Sequence, residues 1–214
     1  MNTKQLFKKV SIKELKKASL VNESGIPLQY AYIKGFFSAA DTLVEIAIKT
    51  KDTNKKDFLF YPICFNYRHY LEIHLKSLIE VCGILYIKMD KIGYLPEGTT
   101  SLPDKDIVLN DTHSLYKLLE LLQNRLVLIT NEEFPKDIKK YIIQMHDTDK
   151  NGQKYRYPQS LNGQPHFKAE MLIDLTNLQV IMCEVKNMLF AIGSYLDHYE
   201  QISDNMIQEI ESFY

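Results

Sequence analysis

Apolar residues return every third or fourth position over most of this chain, the period of helices that bury one face. The densest such stretch is 57–86, DFLFYPICFNYRHYLEIHLKSLIEVCGILY, which also holds a concentration of Arg, His, Glu and Lys. Projected at about 100° per residue, Cys64, Leu71, Leu75, Leu78, Ile79 and Cys82 fall on one side and His69, Glu72, Lys76 and Glu80 on the other. The rest of the chain is expected to be organised around this amphipathic helix. Arg68 and His74 break the division: they lie on opposite shoulders of the apolar stripe, roughly 120° apart, where a side chain can reach a cleft or a partner chain.

Taken in order, Ser11 and Glu14 form a capping-box pattern at the start of a short lysine-rich helix over 11–20, and VNESGIP ends it. Pro27 fits the first turn of the next helix, whose apolar face is Ile33, Phe36, Phe37, Ala40, Leu43, Val44 and Ala47 and which runs to about Lys49. The polar KTKDTNKKD is expected to be a solvated loop, with Pro62 in the first turn of the organising helix or just before it. After Tyr86, KMDKIGYLPEGTTSLPDKD has no sustained period and reads as a surface excursion. Asp111 or Thr112 should cap a helix over 113–127 bearing Leu115, Leu118, Leu119, Leu122 and Leu126.

Thr130 and Glu133 form a second capping-box pattern, followed by an apolar face of Phe134, Ile138, Tyr141, Ile142 and Met145. Residues 147–168 read as a polar, turn-rich loop with a short extended piece around Tyr155 to Tyr157. In the last segment Leu172, Leu175, Leu178, Met182, Val185, Leu189, Ile192, Leu196 and Tyr199 step by three and four, and Met206, Ile210 and Phe213 continue the series. An unbroken helix over 169–213 would be about 65 Å long, so a bend at Gly193-Ser194 or Ser203-Asp204, or a second protomer over its end, is expected. No alternating segment competes as a strand. The fold class is therefore all-α: a bundle of about five to six helices with a long C-terminal helix, in one domain over 1–214 with a short helical extension at about 1–25.

Composition adds exclusions. With 45% hydrophobic residues, 25% charged residues and a net charge of −1, the chain is globular and not broadly basic. A nucleic-acid ligand would need a local basic patch. No run approaches the roughly 18 apolar residues of a membrane span and the start lacks a signal-peptide core, so a cytoplasmic protein without a membrane partner is expected. Cys64 and Cys82 are about 27 Å apart on one helix and cannot pair, and all three cysteines are read as reduced, buried thiols.

Several kinds of chemistry lose their usual signals. His69 and His74 are five apart, about 140° around a helix, whereas helical zinc chelation favours the four-residue spacing. HExxH, paired CxxC, phosphate-cradling glycine loops and GxSxG are missing, so neither a metal nor a cofactor is expected. Asp147, Asp149 and Asn151 lack the later glutamate of a calcium loop, where Pro158 stands, and read as a solvated turn. What remains is Lys150, Lys154, Tyr155, Arg156 and Tyr157, where positive charge alternates with rings that can hold phosphate and stack a base, or equally can pack on the bundle. His113, at a helix start, is a further candidate for anion contact.

Arg68, the polar His69 and His74 after five intervening residues resemble the R-x(4-6)-H motif of the HEPN superfamily, whose active members are metal-independent ribonucleases. RHYLEIHLKSLI, DTHSLYKLLELL and the KYRYP loop before a long final helix extend that resemblance over roughly residues 27–200. It implies an RNA endonuclease of toxin-antitoxin or phage-defence type, dimeric through the 57–86 helix and controlled by an antitoxin or a sensor. Arg68 would stabilise charge on the phosphate, His74 would move the proton, and His69 would orient the scissile group, leaving a 2′,3′-cyclic phosphate. Lys154, Tyr155, Arg156, Tyr157 and His113 would hold the RNA or nucleotide. The resemblance equally admits a silent module that binds a nucleotide, a nucleic acid or a protein. The bland alternative for the motif is an exposed Arg68–Glu72 ion pair and a packed, hydrogen-bonded core His74.

Overall fold

The computed structural model describes residues 27–95, 112–167 and 170–213, together with Ser19 and Leu109. The expected helix over 11–20 and most of the excursion after Tyr86 lie outside the described residues. Among the described residues five helices run in order: α1 (Leu28–Lys49), α2 (Thr53–Lys91), α3 (Leu115–Thr130), α4 (Lys136–Thr148) and α5 (Leu175–Ser212). Strands are absent among the described residues, apart from an isolated bridge between Gln159 and Pro165. No described helix is long and apolar enough to cross a membrane.

α2 runs the length of the bundle and the other helices are arranged on it. It starts four residues before the apolar period does, because the Asp52 side chain accepts from the Lys55 amide at 3.2 Å and so caps a polar first turn. The expected loop is thus partly helical, and Pro62 stands inside α2. The Asn66 side chain donates to the Pro62 carbonyl at 2.7 Å. Cys64, Leu71, Leu75, Leu78, Ile79 and Cys82 are all buried, as the projection requires. Burial pushes the Cys64 and Cys82 thiols up to about 12; Cys183 is only half-buried, contrary to the expectation for all three.

Paired contacts fix the helix directions. Asp41 of α1 accepts from Tyr67 of α2 and from Gln179 of α5, while Gln29, near the start of α1, donates to Glu80. α1 therefore runs against α2. His74 meets Phe190, and Lys88 reaches Glu200, so α5 runs alongside α2 in the same direction. His113 lies by Glu72 and Arg125 by Ile79, which places α3 in that direction too.

Two helix boundaries differ from expectation for local reasons. Ser114, not Asp111 or Thr112, caps α3 through the Lys117 amide. Thr130 ends α3 instead of opening α4: its hydroxyl donates to the Leu126 carbonyl at 2.8 Å, and Asn131 then takes a left-handed φ of 58°. α4 begins after Pro135 with no side-chain cap.

The final helix starts at Leu175, where Asp174 accepts from the Thr176 and Asn177 amides, and Leu172 lies outside it. It continues as one helix of 38 residues through both positions where a bend was expected. The Ser203 hydroxyl turns back to the Tyr199 carbonyl at 2.9 Å, and ion pairs of 2.7 Å tie Lys88 to Glu200 and Asp204 and Lys91 to Glu211. The long helix is thus held against the far half of α2 within one chain.

Candidate functional site

Arg68 leaves α2 between the first turn of α3 and the loop after α4, and only 3% of it is exposed. Its guanidinium is committed on three sides. Nε donates to the Asp149 carbonyl at 3.0 Å and faces Asp149 Oδ2 at 3.4 Å, Nη1 donates to Glu72 at 3.2 Å, and Nη2 donates to the His113 carbonyl at 2.6 Å. The ion pair with Glu72 expected on an exposed face is therefore buried.

Glu72 also accepts from Lys76 at 3.0 Å and from the His113 ring at 2.8 Å. Burial pushes its carboxyl up, but the hydrogen bonds and charges of Lys76 and His113 outweigh that and hold it below the usual carboxylate range. Asp149, read from sequence as part of a solvated turn, is buried; its Oδ1 accepts from the Gln153 and Lys154 amides at 2.9 and 3.2 Å. Gly152, at φ 75°, packs its backbone on the Arg68 guanidinium.

His74 occupies different surroundings. It is buried, shares a hydrogen bond of 2.9 Å with the Tyr70 hydroxyl through Nδ1, and packs on Phe190 with ring centroids 4.7 Å apart. Burial, helped by the charge of Lys34, lowers its pKa to about 4, so it is neutral at neutral pH. Arg68 and His74 therefore do not open on a shared groove in the single chain, and neither reaches an open cleft from its shoulder position, as the projection had allowed. The reason is tertiary: Phe190 covers one shoulder, and Asp149 with the His113 carbonyl covers the other.

His69, by contrast, lies half-buried with its ring edge-on to Phe36 at 4.3 Å and stacked on Phe65 at 5.6 Å. Burial lowers its pKa; Glu72 opposes this, while Arg68, Arg156 and Lys76 add to it. The loop fixed by Asp149 does not form the expected extended piece. The Arg156 and Tyr157 amides both donate to the Gln153 carbonyl, at 3.1 and 3.0 Å, in a turn that presents their side chains to solvent.

Beside His69, Tyr61, Pro62 and Phe65 of α2 and Tyr155, Arg156 and Tyr157 of this loop line a cleft of about 370 Å³. The Arg156 guanidinium stands 5.9 Å from the Phe65 ring centroid and 5.3 Å from that of Tyr157. The candidates of the KYRYP loop thus divide. Arg156 and Tyr157 are exposed, Tyr155 packs into the core against Phe60 and Phe167, and Lys154 lies over Phe167 at 4.4 Å. The His113 ring is exposed at the rim of the Glu72 network.

Sequence reasoning passed over Tyr61 and Phe65 and took Asp149 for part of a solvated turn. Phe65 was discoverable, since it stands one helical turn before His69. Among the described residues no group of three or more His, Cys, Asp or Glu could hold a metal ion. Chemically, the cleft supplies ring faces for stacking and one unburied guanidinium for a phosphate. Compared with protein-family models, curated proteins and solved structures, the chain shows no match.

Proposed function

We propose that this chain is a HEPN-like helical module that binds single-stranded RNA at the cleft of Tyr61, Phe65, Arg156 and Tyr157, with Arg68 and His74 serving as its scaffold. The observation that carries the reading is the pairing of an exposed guanidinium with aromatic faces on a loop whose position Asp149 and Arg68 fix. Rings in such an arrangement stack bases of any identity, at about 1–3 kcal/mol per base, and Arg156 can reach the adjoining phosphate. A phosphodiester needs an acid-base group and a charge stabiliser within reach of the same atoms. In the single chain Arg68 and His74 are committed elsewhere: every Arg68 nitrogen has a protein acceptor, and His74 faces Tyr70 and Phe190.

The test uses short fluorescent RNA oligonucleotides in EDTA, read by anisotropy, with total RNA in parallel for cleavage. The reading expects binding that falls at least tenfold in Arg156→Ala and in Tyr157→Ala, with no cut RNA. Unchanged affinity in both variants would remove the cleft. A stable dimer that cleaves RNA without metal, leaves cyclic phosphate ends and loses that activity in a still-helical His74→Ala variant would instead establish the endonuclease implied by the motif.

A further inference from the structure

Where α2, α4 and α5 converge, their side chains leave a cavity of about 350 Å³. Phe60 and Cys64 of α2, Tyr141 and Met145 of α4, and Leu178 and Met182 of α5 face it. Tyr155 and Phe167 enter from the loop between α4 and α5, and Met171, Leu172 and Ile173 form its rim. Tyr155 also lines the cleft of Arg156 and Tyr157, so its side chain stands between the two spaces and the cavity is a separate site. Close-packed interiors hold few voids larger than a water molecule, whereas small-molecule sites begin at about 300 Å³.

The walls favour a flat, apolar guest. The rings of Phe60, Tyr155 and Phe167 meet edge-on or tilted, with centroids 6.0 to 6.2 Å apart, and so offer both faces and edges to a further ring. Met145 and Met182 are buried and Met171 is exposed at the rim; their unbranched thioethers re-pack readily around a guest. Beside Met171, Leu172 and Ile173 are exposed as well, so three consecutive apolar side chains stand at the mouth.

The lining also decides the charge of that guest. Among the described residues no lysine, arginine or histidine lines the cavity, and Lys154 lies over the Phe167 ring at 4.4 Å without lining it. An anion would be desolvated there with no cation to receive it. The single acid, Asp174, spends Oδ1 on the Thr176 and Asn177 amides at 2.9 and 3.0 Å, where its charge answers the positive end of α5 and little attraction is left for a cation. Gln144, Thr148 and Asn177 are uncharged, and the two amides both donate and accept. We propose that this cavity binds a compact uncharged aromatic molecule of one or two fused rings with a hydrogen-bonding group, held by Phe60, Tyr155 and Phe167 and oriented by Gln144 and Asn177. The site stands whether or not RNA binds at the cleft.

The experiment uses the full chain with carbon-13 in its methionine methyls, titrated with indole and, in parallel, with indole-3-acetate and tryptamine. Each methyl is assigned by the peak lost when that methionine is replaced by leucine. The expected result is saturable shifts at Met145, Met171 and Met182 and none at Met89 and Met206, which lie toward the far ends of α2 and α5. Indole should bind about tenfold more tightly than the acetate, which must shed its charge's hydration, and no more weakly than tryptamine. Leu178→Phe, which fills the space, should weaken indole about tenfold while the Met89 and Met206 methyls keep their positions. Three outcomes overturn the proposal. One is the lack of a saturable shift at the cavity methionines, or an affinity that Leu178→Phe leaves unchanged. Another is equal shifts at Met89 and Met206, which mean adventitious apolar contact only. The third is tryptamine binding that exceeds indole and is lost in Asp174→Asn, a change that keeps the α5 cap and would give the site to a cation.

Discussion

Gly152 seats its backbone against the guanidinium of Arg68, so closely that a Cβ there would stand 2.8 Å from Nη1. The arginine cannot swing away, because Glu72, Asp149 and the His113 carbonyl hold it. Gly152 also has φ 75°, which any other residue adopts only at a cost. Gly152→Ala should lower stability by about 1–3 kcal/mol in urea titration and weaken RNA binding, since the loop that carries Arg156 is displaced with it.

Arg68→Ala should be among the most damaging single changes, at about 3–5 kcal/mol, because it leaves the buried carboxylate of Asp149 without its cation and takes from buried Glu72 one of the partners that hold it. Arg68→Lys keeps a charge but not the planar fork that reaches three acceptors, and should fall between wild type and alanine. Denaturant midpoints of the three proteins give the order. An Arg68→Ala protein as stable as the parent would show that the network contributes nothing.

The pH dependence follows from His74. Its folded pKa, about 4, lies below the unfolded value of 6.5, so the folded state resists taking the proton. The associated stability is complete above pH 6.5 and is lost as pH falls toward 4, by up to about 1.4 kcal/mol per pH unit. Glu72, held below its ordinary range, acts in the same direction at the acid end of that window. Urea unfolding between pH 7 and 4.5 should therefore show a slope that His74→Leu reduces, whatever that variant does to stability at pH 7.

Salt dependence should be shallow if the cleft is where RNA binds. Arg156 is the one guanidinium lining it, and the chain's net charge of −1 supplies no general attraction. Each neutralised phosphate on a single strand contributes about −0.7 to the slope of log affinity against log salt. The measured slope should be about −1; one steeper than about −3 would mean that a more extended basic surface holds the RNA.

The long periodic segments were legible in the sequence because local spacing decides them: the stripe from Cys64 to Cys82 is buried as projected. The motif residues were not, because their surroundings come from far away along the chain. Arg68 is answered by Asp149, 81 residues on, and by His113, 45 residues on, while His74 is covered by Phe190. A helical projection leaves a shoulder position free to reach a cleft until another element is known to cover it. The polar start of α2 was misread for a smaller reason: Asp52 caps a helix before any apolar residue announces it. Within the KYRYP loop, alternation of charge and ring marked the right segment but could not separate the inward Tyr155 from the outward Tyr157.

The Arg68 clasp joins three stretches that a folding chain meets at different times: the middle of α2, the entry to α3 and the turn after α4. Closing it carries the loop-closure entropy of the longest of these separations, so it belongs late in assembly. Arg156 and Tyr157 take their places only once that closure is complete. A partly assembled chain therefore lacks the cleft altogether, whatever ligand the finished fold receives there.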